Sequence, residues 1–537
     1  MRKRHLATLS LVCLALAPSL LYAQTVRDTS LKVEQLVSGL SAPTTMAFVG
    51  PNDILVLQKD DGRVRRVIDG VLQPGHVLDV HVDNDSERGL LGIALHPQFP
   101  SVPLVYLYYT ESSTGADTSG TTPSGNRVYA YTWNGASLTN PTLILHLPTT
   151  PGPNHDGGVI TFGPDGKLYV VIGDLNRNGQ LQNFPSGAPD DTSVILRLNE
   201  DGSIPPDNPF AAQGGNLAKY YAYGIRNSFG LAFDPVTDNL WLTENGPASF
   251  DEINMVDPGF NSGWEQLMGP DSRDPQGTAN LHVIPNSHYR DPRFSWLATV
   301  GPTALAFLNS TALGSQYEHD LFVGDINNGR LYRFQLNATR TGFVFQGAGL
   351  GDLVADTAAE LDEVIFGTGF GGITDIKVGP DGFLYVVSIS GSIYVISPSE
   401  PTGEIILDNA PAGQSGAGRS FTGTWCLSAA PSPFGADSLY SCGSGPDTYR
   451  WTPTIPTSGA YAVSVRWTQH PNRSTAVPIT VCHAGGCTTL TFNQLQNGAQ
   501  WIPHGQYTFI AGASGYVQVA DQNGQAAADA VRFVPAP

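Results

Sequence analysis

The chain has few charged residues, few basic residues and few cysteines. Charged residues account for 14% of its 537 residues, and 28 Lys and Arg stand against 47 Asp and Glu, for a formal net charge of −19. So acidic a surface repels phosphate backbones and anionic lipids, and we therefore expect no nucleic-acid partner. No run after Ala23 is apolar for long enough to cross a bilayer, so we predict no membrane span. Neutral small molecules and cations remain as expected ligands.

Cysteine is scarce and is concentrated near the C-terminus. Of the five cysteines, Cys13 lies in the N-terminal apolar run, and the other four are Cys426, Cys442, Cys482 and Cys487. In an exported chain an even number in one region predicts disulfides, most simply 426 with 442 and 482 with 487, although the sequence alone allows about three pairings. A zinc site is the alternative, but four residues between the cysteines of CHAGGC is a poor spacing for zinc.

The first residues read MRKRHLATLSLVCLALAPSLLYAQ and combine basic residues, an apolar run and a small residue, Ala23. This order predicts a secretory signal peptide over 1–23 that is cleaved after Ala23. An uncleaved anchor is the alternative, but Ser10, Pro18 and Ser19 interrupt the run and make it marginal for a span. The protein is therefore expected to be secreted or periplasmic.

Glycine and proline, by contrast, are abundant. The chain has 60 Gly and 40 Pro, and its apolar residues, 41% of the total, fall in short regular runs, which predicts an all-β protein with many turns. A hairpin unit recurs, made of a Gly/Pro/Asp turn, a strand, a second turn and another strand. Examples are FGPDGKLYVVIGD from Phe162 and VGPDGFLYVVSISGSIYVI from Val378. Such repeats predict a β-propeller over 31–397 with about six blades, whose loops converge on a central channel.

A Ser/Pro-rich stretch ends this region. The residues SPSEPTG predict a linker over 398–403. Beyond it, short alternating strands such as YAVSVRW follow at regular spacing, together with the late cysteines. We therefore predict a smaller domain over 404–537 with a β-sandwich or jelly-roll fold.

The segment NHDGGVITFGPDGKLYVVIGD, from Asn154 to Asp174, holds the first candidate for chemistry. Gly157 and Gly158 let the backbone turn tightly beside His155 and leave its imidazole unobstructed. Taken alone, a histidine in a glycine-rich loop is more often structural than catalytic. The other motifs of the chain change that balance.

Four motifs, in this order, extend the pattern. They are ERGLLGIALHPQF from Glu87, the segment from Asn154, YGIRNSFGLAFDP from Tyr223 and ENGPASFDEINMVDPGFNSGWE from Glu244. In order and spacing the chain resembles, from about residue 36 to residue 396, the soluble glucose and aldose sugar dehydrogenases that depend on pyrroloquinoline quinone (PQQ). The resemblance implies a six-bladed propeller that oxidises a sugar hydroxyl with PQQ and calcium.

The resemblance also implies roles for individual residues. His155 matches the general base that takes the hydroxyl proton as hydride passes to the quinone, and Asp174 matches the acid that orients this base. We assign His155, Asp174 and Arg226 as the catalytic candidates. The candidates for cofactor binding are Glu87, Arg226, Asn227, Asn245, Asp251 and Asn327.

Two calcium sites are implied in the same way. The backbone carbonyls of Gly246 and Pro247 match those that hold calcium beneath the quinone. Glu252 matches a ligand of a second, structural calcium, with the carbonyl of Ser262 opposite it. Oxygen-only ligands suit calcium, whereas an acidic surface turn is the alternative interpretation of GPASFDEIN.

At several positions the chain departs from the family. Asn327 stands where the family commonly has a lysine, and Gly372 and Thr374 stand where it has arginines that hold the quinone carboxylates. Each lost charge-assisted hydrogen bond is worth about 1.5–3 kcal/mol. Arg330 and Lys377 lie nearby in the sequence, but strand alternation is expected to point Lys377 to the face opposite Thr374.

The region over 404–537 contains GPDTYRWTPTIPTSGAYAVSVRWTQHPNRSTAVPITV and GAQWIPHGQYTFIAGASGYVQVAD. These stretches resemble the carbohydrate-binding-like C-terminal module of golvesin-like proteins and some xanthan lyases. The resemblance implies a polysaccharide partner. Of Trp451, Trp467 and Trp501, we expect two in the sandwich core, which leaves one to stack on a sugar ring.

Three functions are compatible with these features. The first is a secreted quinone-dependent dehydrogenase that acts on aldoses or related alcohols. The second is a propeller without cofactor that binds glycans or proteins, which the missing cations favour. The third is a metal-dependent hydrolase such as a lactonase, but the motifs lack the carboxylate-rich metal centre that its chemistry needs. We rank the dehydrogenase first and the lactonase last.

Overall fold

The structure is a computed structural model in which residues 24–274, 276–347, 349–399, 404–522 and 524–536 are described. β-strands make up most of the regular structure, which confirms the all-β prediction. The predicted signal peptide over 1–23 lies outside the described residues, as does most of the predicted linker over 398–403. Within the described ranges, no helix combines the length and the apolar composition that a bilayer crossing needs.

The chain divides into two compact units. One is built from Val33–Ile396 with the described residues up to Arg27, and the other from Ser397 onward with Asp28–Lys32. We keep 31–397 and 404–537 as the proposed bounds of the propeller and the sandwich.

The strands of the first unit form six sheets in the part of the chain that the structure describes. Sheet 1 contains Pro43–Gly50, Asp53–Gln58, Arg63–Ile68, Val71–Leu72 and Leu78–Asp79. Sheet 2 contains Leu90–Leu95, Leu104–Glu111, Gly125–Trp133 and Leu138–Leu147. Sheet 3 contains Ile160–Phe162, Leu168–Ile172, Val194–Leu198, Tyr220–Tyr223, Phe260–Asn261 and His288–Tyr289. Sheet 4 contains Gly230–Phe233, Leu240–Glu244, Asp251–Val256, Phe294–Trp296 and Val354–Ala355. Sheet 5 contains Thr25–Val26, Pro302–Phe307, Leu321–Asp325, Leu331–Leu336, Phe343–Val344 and Ile365–Thr368. Sheet 6 contains Leu31–Val37, Ile373–Val378, Leu384–Ser388 and Ser392–Pro398. The number of blades remains a prediction, which this set of sheets supports.

Both faces of a blade strand are packed, because neighbouring blades lie face to face in a propeller. In the strand Leu168–Ile172, Val170 packs in an apolar core shared with sheet 2, and its neighbour Val171 packs in a core shared with sheet 4. Side chains alternate along a strand, so one buried run LYVVI serves both contacts. This is why the blade strands are continuous apolar runs.

Strands from near the N-terminus complete the last two sheets. Leu31–Val37 joins sheet 6 beside Ser392–Pro398, and Thr25–Val26 pairs with Ile365–Thr368 in sheet 5. Strands from the beginning and the end of the propeller sequence thus share sheets. This closes the ring of blades and leaves fewer exposed strand edges.

Helices are short and lie in the connections between strands. The α-helix Ala358–Val364 begins after Thr357, whose hydroxyl accepts from Glu360 N while the Glu360 carboxylate accepts from Thr357 N, a capping box. The 3₁₀ turns are Gln180–Gln182, Ala211–Gln213, Gly215–Lys219, Asp271–Arg273, Gly277–Asn280, Ser315–Tyr317 and Gly349–Asp352.

The second unit packs two larger sheets around an apolar core. The first of the larger sheets contains Ile405–Asp408, Gly459–Arg466, Ile502–Phe509 and Ala530–Pro535. The second contains Arg419–Thr422, Thr448–Trp451, Val477–His483, Gly486–Phe492 and Tyr516–Ala520. A small additional sheet contains Trp425–Leu427, Leu439–Ser441 and Ala527–Ala528. Trp451 and Trp467 lie in the core, whereas Trp501 is partly exposed, as expected.

The two simplest disulfides are both formed. Cys426 is bonded to Cys442 with a Cα–Cα distance of 5.9 Å, and Cys482 is bonded to Cys487 with a Cα–Cα distance of 4.0 Å. The second bond joins residues that are direct partners in a hairpin. The prediction of disulfides in the C-terminal region is confirmed.

Candidate active site

A cavity of about 670 Å³ is lined by residues from, or next to, all six sheets. Its size suits a small-molecule ligand, for which cavities of about 300–1,000 Å³ are usual. The predicted site residues that line it are Glu87, His155, Arg226, Asn227, Asn245 and Asn327. The predicted residues outside its lining are Asp174, Gly246, Pro247, Asp251, Glu252 and Ser262.

His155 is held by an acid at its ring and by another at its backbone. The ring Nδ1 lies 2.6 Å from Asp174 Oδ1, and the backbone N–H donates to Glu87 Oε2 over 2.7 Å. The His155 side chain is 9% exposed and lines the cavity, whereas Asp174 does not line it. With Nδ1 bound to the carboxylate, Nε2 is the ring nitrogen left for a ligand.

The backbone at His155 has an unusual conformation. Its φ of 63° lies in the left-handed region, which a non-glycine residue adopts only when its surroundings hold it there. Gly173 allows the required close packing, because a Cβ at this position would lie 2.5 Å from His155 O and 2.4 Å from Arg226 O. The loops of His155 and Arg226 therefore meet at the end of the strand that precedes Asp174.

The Asp174 carboxylate is fixed by further donors. Asn176 N donates to Oδ1 over 2.7 Å, and Trp264 Nε1 donates to Oδ2 over 2.7 Å. Both oxygens are thereby occupied, which fixes the carboxylate and, through it, the imidazole of His155. The sequence analysis missed Trp264, although it lies in the fourth motif, because a tryptophan in SGWE is as compatible with a core position as with a donor role.

Arg226 and Asn227 both line the cavity. Arg226 Nη1 donates to Asn245 O over 2.9 Å, and its guanidinium lies 5.3 Å from the centre of the Trp264 ring. Asn227 Nδ2 donates to Glu87 Oε2 over 2.9 Å. Among the described residues, the buried atoms Arg226 Nε and Asn227 Oδ1 have no hydrogen-bond partner. Such atoms are costly to bury unless a ligand or water pairs with them.

Two buried carboxyl groups, of Glu244 and Glu252, face each other on neighbouring strands of sheet 4. Burial raises the pKa of Glu244 to about 7, and burial together with the charge of Glu244 raises the pKa of Glu252 well above its usual range. Ser262 Oγ donates to Glu244 Oε2 over 2.5 Å, and Asn254 Nδ2 donates to Glu252 Oε2 over 2.8 Å. The sequence analysis missed Glu244, whose place at the start of ENGP, just before the predicted calcium loop, could have indicated it.

Asp251 supports the site from outside the cavity. Its carboxylate accepts from the backbone N–H groups of Gly246, Val300 and Gly301 over 2.8, 2.6 and 2.7 Å. It thus ties the loop of Gly246 and Pro247 to Gly301, which lines the cavity. Backbone donors occupy the Asp251 carboxylate, and its predicted contact with the cofactor stays a prediction. In the described ranges, no group of three or more His, Cys, Asp or Glu side chains has a metal-binding arrangement, and the predicted calcium ligands include backbone carbonyls.

Lys377 lines the cavity, so the expectation that it faces away was wrong. Strand pairing in sheet 6 is irregular between Ile373 and Asp375, and such a bulge changes which side chains face a given side. Thr374, Asp375 and Lys377 all line the cavity as a result. Arg330, the other nearby cation, is not among the lining residues.

Charges of both signs line the cavity. Its basic side chains in the described residues are those of Lys59, Arg226 and Lys377, and its acidic ones are those of Asp60, Glu87 and Asp375. Lys59 Nζ lies 2.7 Å from Asp60 Oδ1, and Lys377 Nζ lies 3.2 Å from Asp375 Oδ2. An anionic ligand would therefore meet cations that are partly paired already.

The second unit matches the Golvesin C-terminal domain model over residues 405–535. Over 148 residues, 26% of this chain, it is 36% identical to a xanthan lyase of Bacillus sp. (strain GL1), of which the match covers 16%. The likeness concerns one module of that protein and not the whole lyase.

The propeller is similar to sugar dehydrogenases. The chain is 28% identical over 415 residues to the aldose sugar dehydrogenase YliI of Escherichia coli (strain K12), and the match covers 74% of this chain and 100% of that protein. The solved structure of the PQQ-bound form of aldose sugar dehydrogenase from Streptomyces coelicolor has a TM-score of 0.52 at 25% identity, over 70% of this chain and 99% of that one. The Glucose / Sorbosone dehydrogenase family model matches residues 40–395. Because that match covers more than half of its residues, the chain belongs to the glucose/sorbosone dehydrogenase family.

Proposed function

We propose that this protein is a quinone-dependent dehydrogenase that oxidises a hydroxyl of an aldose or a related alcohol. The observation that carries the proposal is the pair of His155 and Asp174, 2.6 Å apart, at the wall of a cavity of about 670 Å³. Family membership supports oxidoreductase chemistry on sugars, and this pair supplies the base.

His155 Nε2 takes the proton of the substrate hydroxyl. Asp174 accepts the Nδ1–H bond, which leaves a lone pair on Nε2, and its charge then stabilises the imidazolium that forms. Trp264 and Asn176 hold the carboxylate, so the imidazole does not have to reorient during proton transfer.

The cavity fits PQQ in size and, in part, in its polar groups. Arg226 and Asn227 each have a buried polar atom without a partner among the described residues, and Leu91 and Phe229 add apolar wall. Arg226, Asn227 and Asn245 would hold the cofactor. When bound, the quinone would supply the acceptor for a hydride, which carries two electrons, from the sugar carbon.

Calcium fits beside this site. The carbonyls of Gly246 and Pro247 belong to the loop that Asp251 holds, and oxygen ligands suit calcium. Glu252 lies buried beside Glu244, and the hydrogen bonds of these two acids in the described structure come from neutral donors. A cation would balance these carboxylates, which supports a structural calcium at Glu252.

The test is dye reduction by protein reconstituted with calcium and PQQ, with a panel of aldoses as substrates. We expect reduction that depends on the sugar and that falls about 10²- to 10⁴-fold in His155→Ala, the usual contribution of a general base. His319→Ala, a histidine that does not line the cavity, is the matched control and should keep full activity. Failure of the wild-type protein to bind quinone at micromolar concentration would refute the proposal.

A second function, recognition of a glycan or protein by a propeller without cofactor, is favoured by one observation. Asn327 and Thr374 line the cavity without charge at positions where the family commonly has cations. Under this function the wild-type protein binds no quinone but is retained by a glycan or protein ligand, and His155→Ala leaves that retention unchanged.

We also propose that the second unit binds polysaccharide and that the protein is secreted or periplasmic. Trp501 is partly exposed, with the Arg532 guanidinium 5.0 Å from its ring centre, a pair of groups suited to a sugar ring. The two disulfides support an oxidising compartment. Retention on insoluble glycans that Trp501→Ala abolishes, and a mature N-terminus at Gln24, would support these proposals.

A further inference from the structure

Lys377 is the lysine of the cavity that is least committed to protein partners. Its Nζ lies 3.2 Å from Asp375 Oδ2, and its side chain is 40% exposed. Lys59 is only 17% exposed, lies 2.7 Å from Asp60 Oδ1 and also donates to Asn84 O over 3.4 Å. A ligand that binds Lys377 therefore disrupts fewer existing contacts than one that binds Lys59.

We propose that Lys377 is an anion-binding residue of the cavity that holds a carboxylate of a planar, polycarboxylate quinone. This inference rests on the proposed dehydrogenase function and deepens it. Lys377 would supply a cation to a wall where Asn327 and Thr374 supply none.

Asp375 does not depend on Lys377 for its hydrogen bonds. Its Oδ2 also accepts from Thr45 Oγ1 over 2.6 Å and from Met46 N over 3.3 Å, and its Oδ1 accepts from Ile376 N over 2.8 Å. These donors remain if the ammonium turns to a ligand, so the buried carboxylate is not left unpaired. Without a ligand, the same carboxylate keeps Lys377 at the cavity wall.

The bulge between Ile373 and Asp375 makes this placement possible. In a regular strand, residues three apart face opposite sides, and Lys377 would then point away from the side of Thr374. The Thr374 hydroxyl is already engaged, since it donates to Pro43 O over 2.9 Å. Lys377, further along the strand, carries a positive charge that can turn from its ion pair with Asp375 to a ligand.

The affinity for PQQ tests this inference without turnover. Titration of the full-length, calcium-loaded protein is followed by quenching of tryptophan fluorescence, for which Trp264 lies beside Arg226 of the cavity wall. We expect Lys377→Ala to raise Kd about ten- to hundredfold and Lys377→Arg to keep Kd within a few-fold of wild type. Arg330→Ala removes a cation that does not line the cavity, and should leave Kd unchanged as the matched control.

Salt provides a second readout. The wild-type affinity should fall more steeply with ionic strength than that of Lys377→Ala, because one charge pair is missing in the variant. Thermal unfolding establishes that each variant is folded, and Lys377→Met, which keeps most of the apolar stem, replaces Lys377→Ala if the latter does not fold.

The outcomes separate the inference from the function on which it rests. If Lys377→Ala binds PQQ as tightly as wild type, the role of Lys377 is overturned while the dehydrogenase proposal stands. If the wild type shows no quenching at micromolar PQQ, the dehydrogenase proposal fails and the inference fails with it.

Discussion

Replacing Asp174 by Asn measures how much the charge of this acid contributes to catalysis by the proposed base, His155. The change keeps the size of the side chain but removes the charge next to His155 Nδ1, at 2.6 Å. A charge-assisted hydrogen bond is worth about 1.5–3 kcal/mol, so the imidazolium formed on proton transfer loses about that much stabilisation. Because 1.36 kcal/mol is about tenfold in rate, we expect kcat to fall about ten- to hundredfold.

The assay is sugar-dependent dye reduction, measured together with Kd for PQQ and with Tm. Asp174 does not line the cavity, so Asp174→Asn should leave Kd unchanged. Trp264→Phe removes only the neutral donor to Oδ2, keeps a ring near Arg226 and should cost about two- to tenfold in kcat. A kcat for Asp174→Asn within about twofold of wild type would refute the role of the pair. So would a loss explained entirely by weaker quinone binding.

Three further predictions concern the metal, the domain bounds and pH. Chelation should lower Tm, because a ligand bound only by the folded state stabilises it, and Glu252→Gln should reduce this effect of the chelator in calorimetry. Limited proteolysis should cut within 397–403 and release a compact C-terminal fragment, identified by its mass; a chain cut elsewhere first would contradict the proposed bounds. Burial lowers the pKa of His504 from 6.5, with its ring between Ile479 O and Tyr507 Oη at 2.9 Å each. Since the folded pKa lies below the unfolded one, the neutral ring favours folding above about pH 6.5 and this contribution is lost as pH falls. Denaturant unfolding of wild type and His504→Phe at about pH 7.5 and 5.5 should therefore show a smaller loss in the variant, and equal losses would contradict the prediction.

Local chemistry explains why the fold could be predicted. The Gly-Pro-Asp-Gly turns before Leu168–Ile172 and before Leu384–Ser388 each connect the two strands of a hairpin. The apolar runs that follow the turns predict strands buried on both faces. Repetition of this unit indicates a propeller without knowledge of any long-range contact. Local chemistry did not suffice for His155, since a histidine in a glycine-rich loop is more often structural, and its predicted role came from the resemblance to the sugar dehydrogenases.

The parts of the site that could not be predicted depend on contacts between distant segments. Trp264 supports Asp174 across 90 residues, a pairing that no local pattern contains. The position of Lys377 depends on a bulge, and a single inserted residue reverses the alternation on which the expectation was based. Asp251 lies in a site motif, but the sequence does not show which groups donate to its two carboxylate oxygens. Those donors depend on the fold of the loop at Gly301.

The most direct test of the central claim is single-turnover mixing of PQQ-loaded, calcium-loaded protein with an aldose in the absence of oxygen and dye. The absorbance of the bound quinone is recorded for wild type and for His155→Ala at equal quinone occupancy. We predict a sugar-dependent spectral change in the wild type and a change about 10²- to 10⁴-fold slower in the variant. A wild-type protein that binds PQQ but whose spectrum no aldose alters, or a variant that reacts as fast as wild type, would contradict the account.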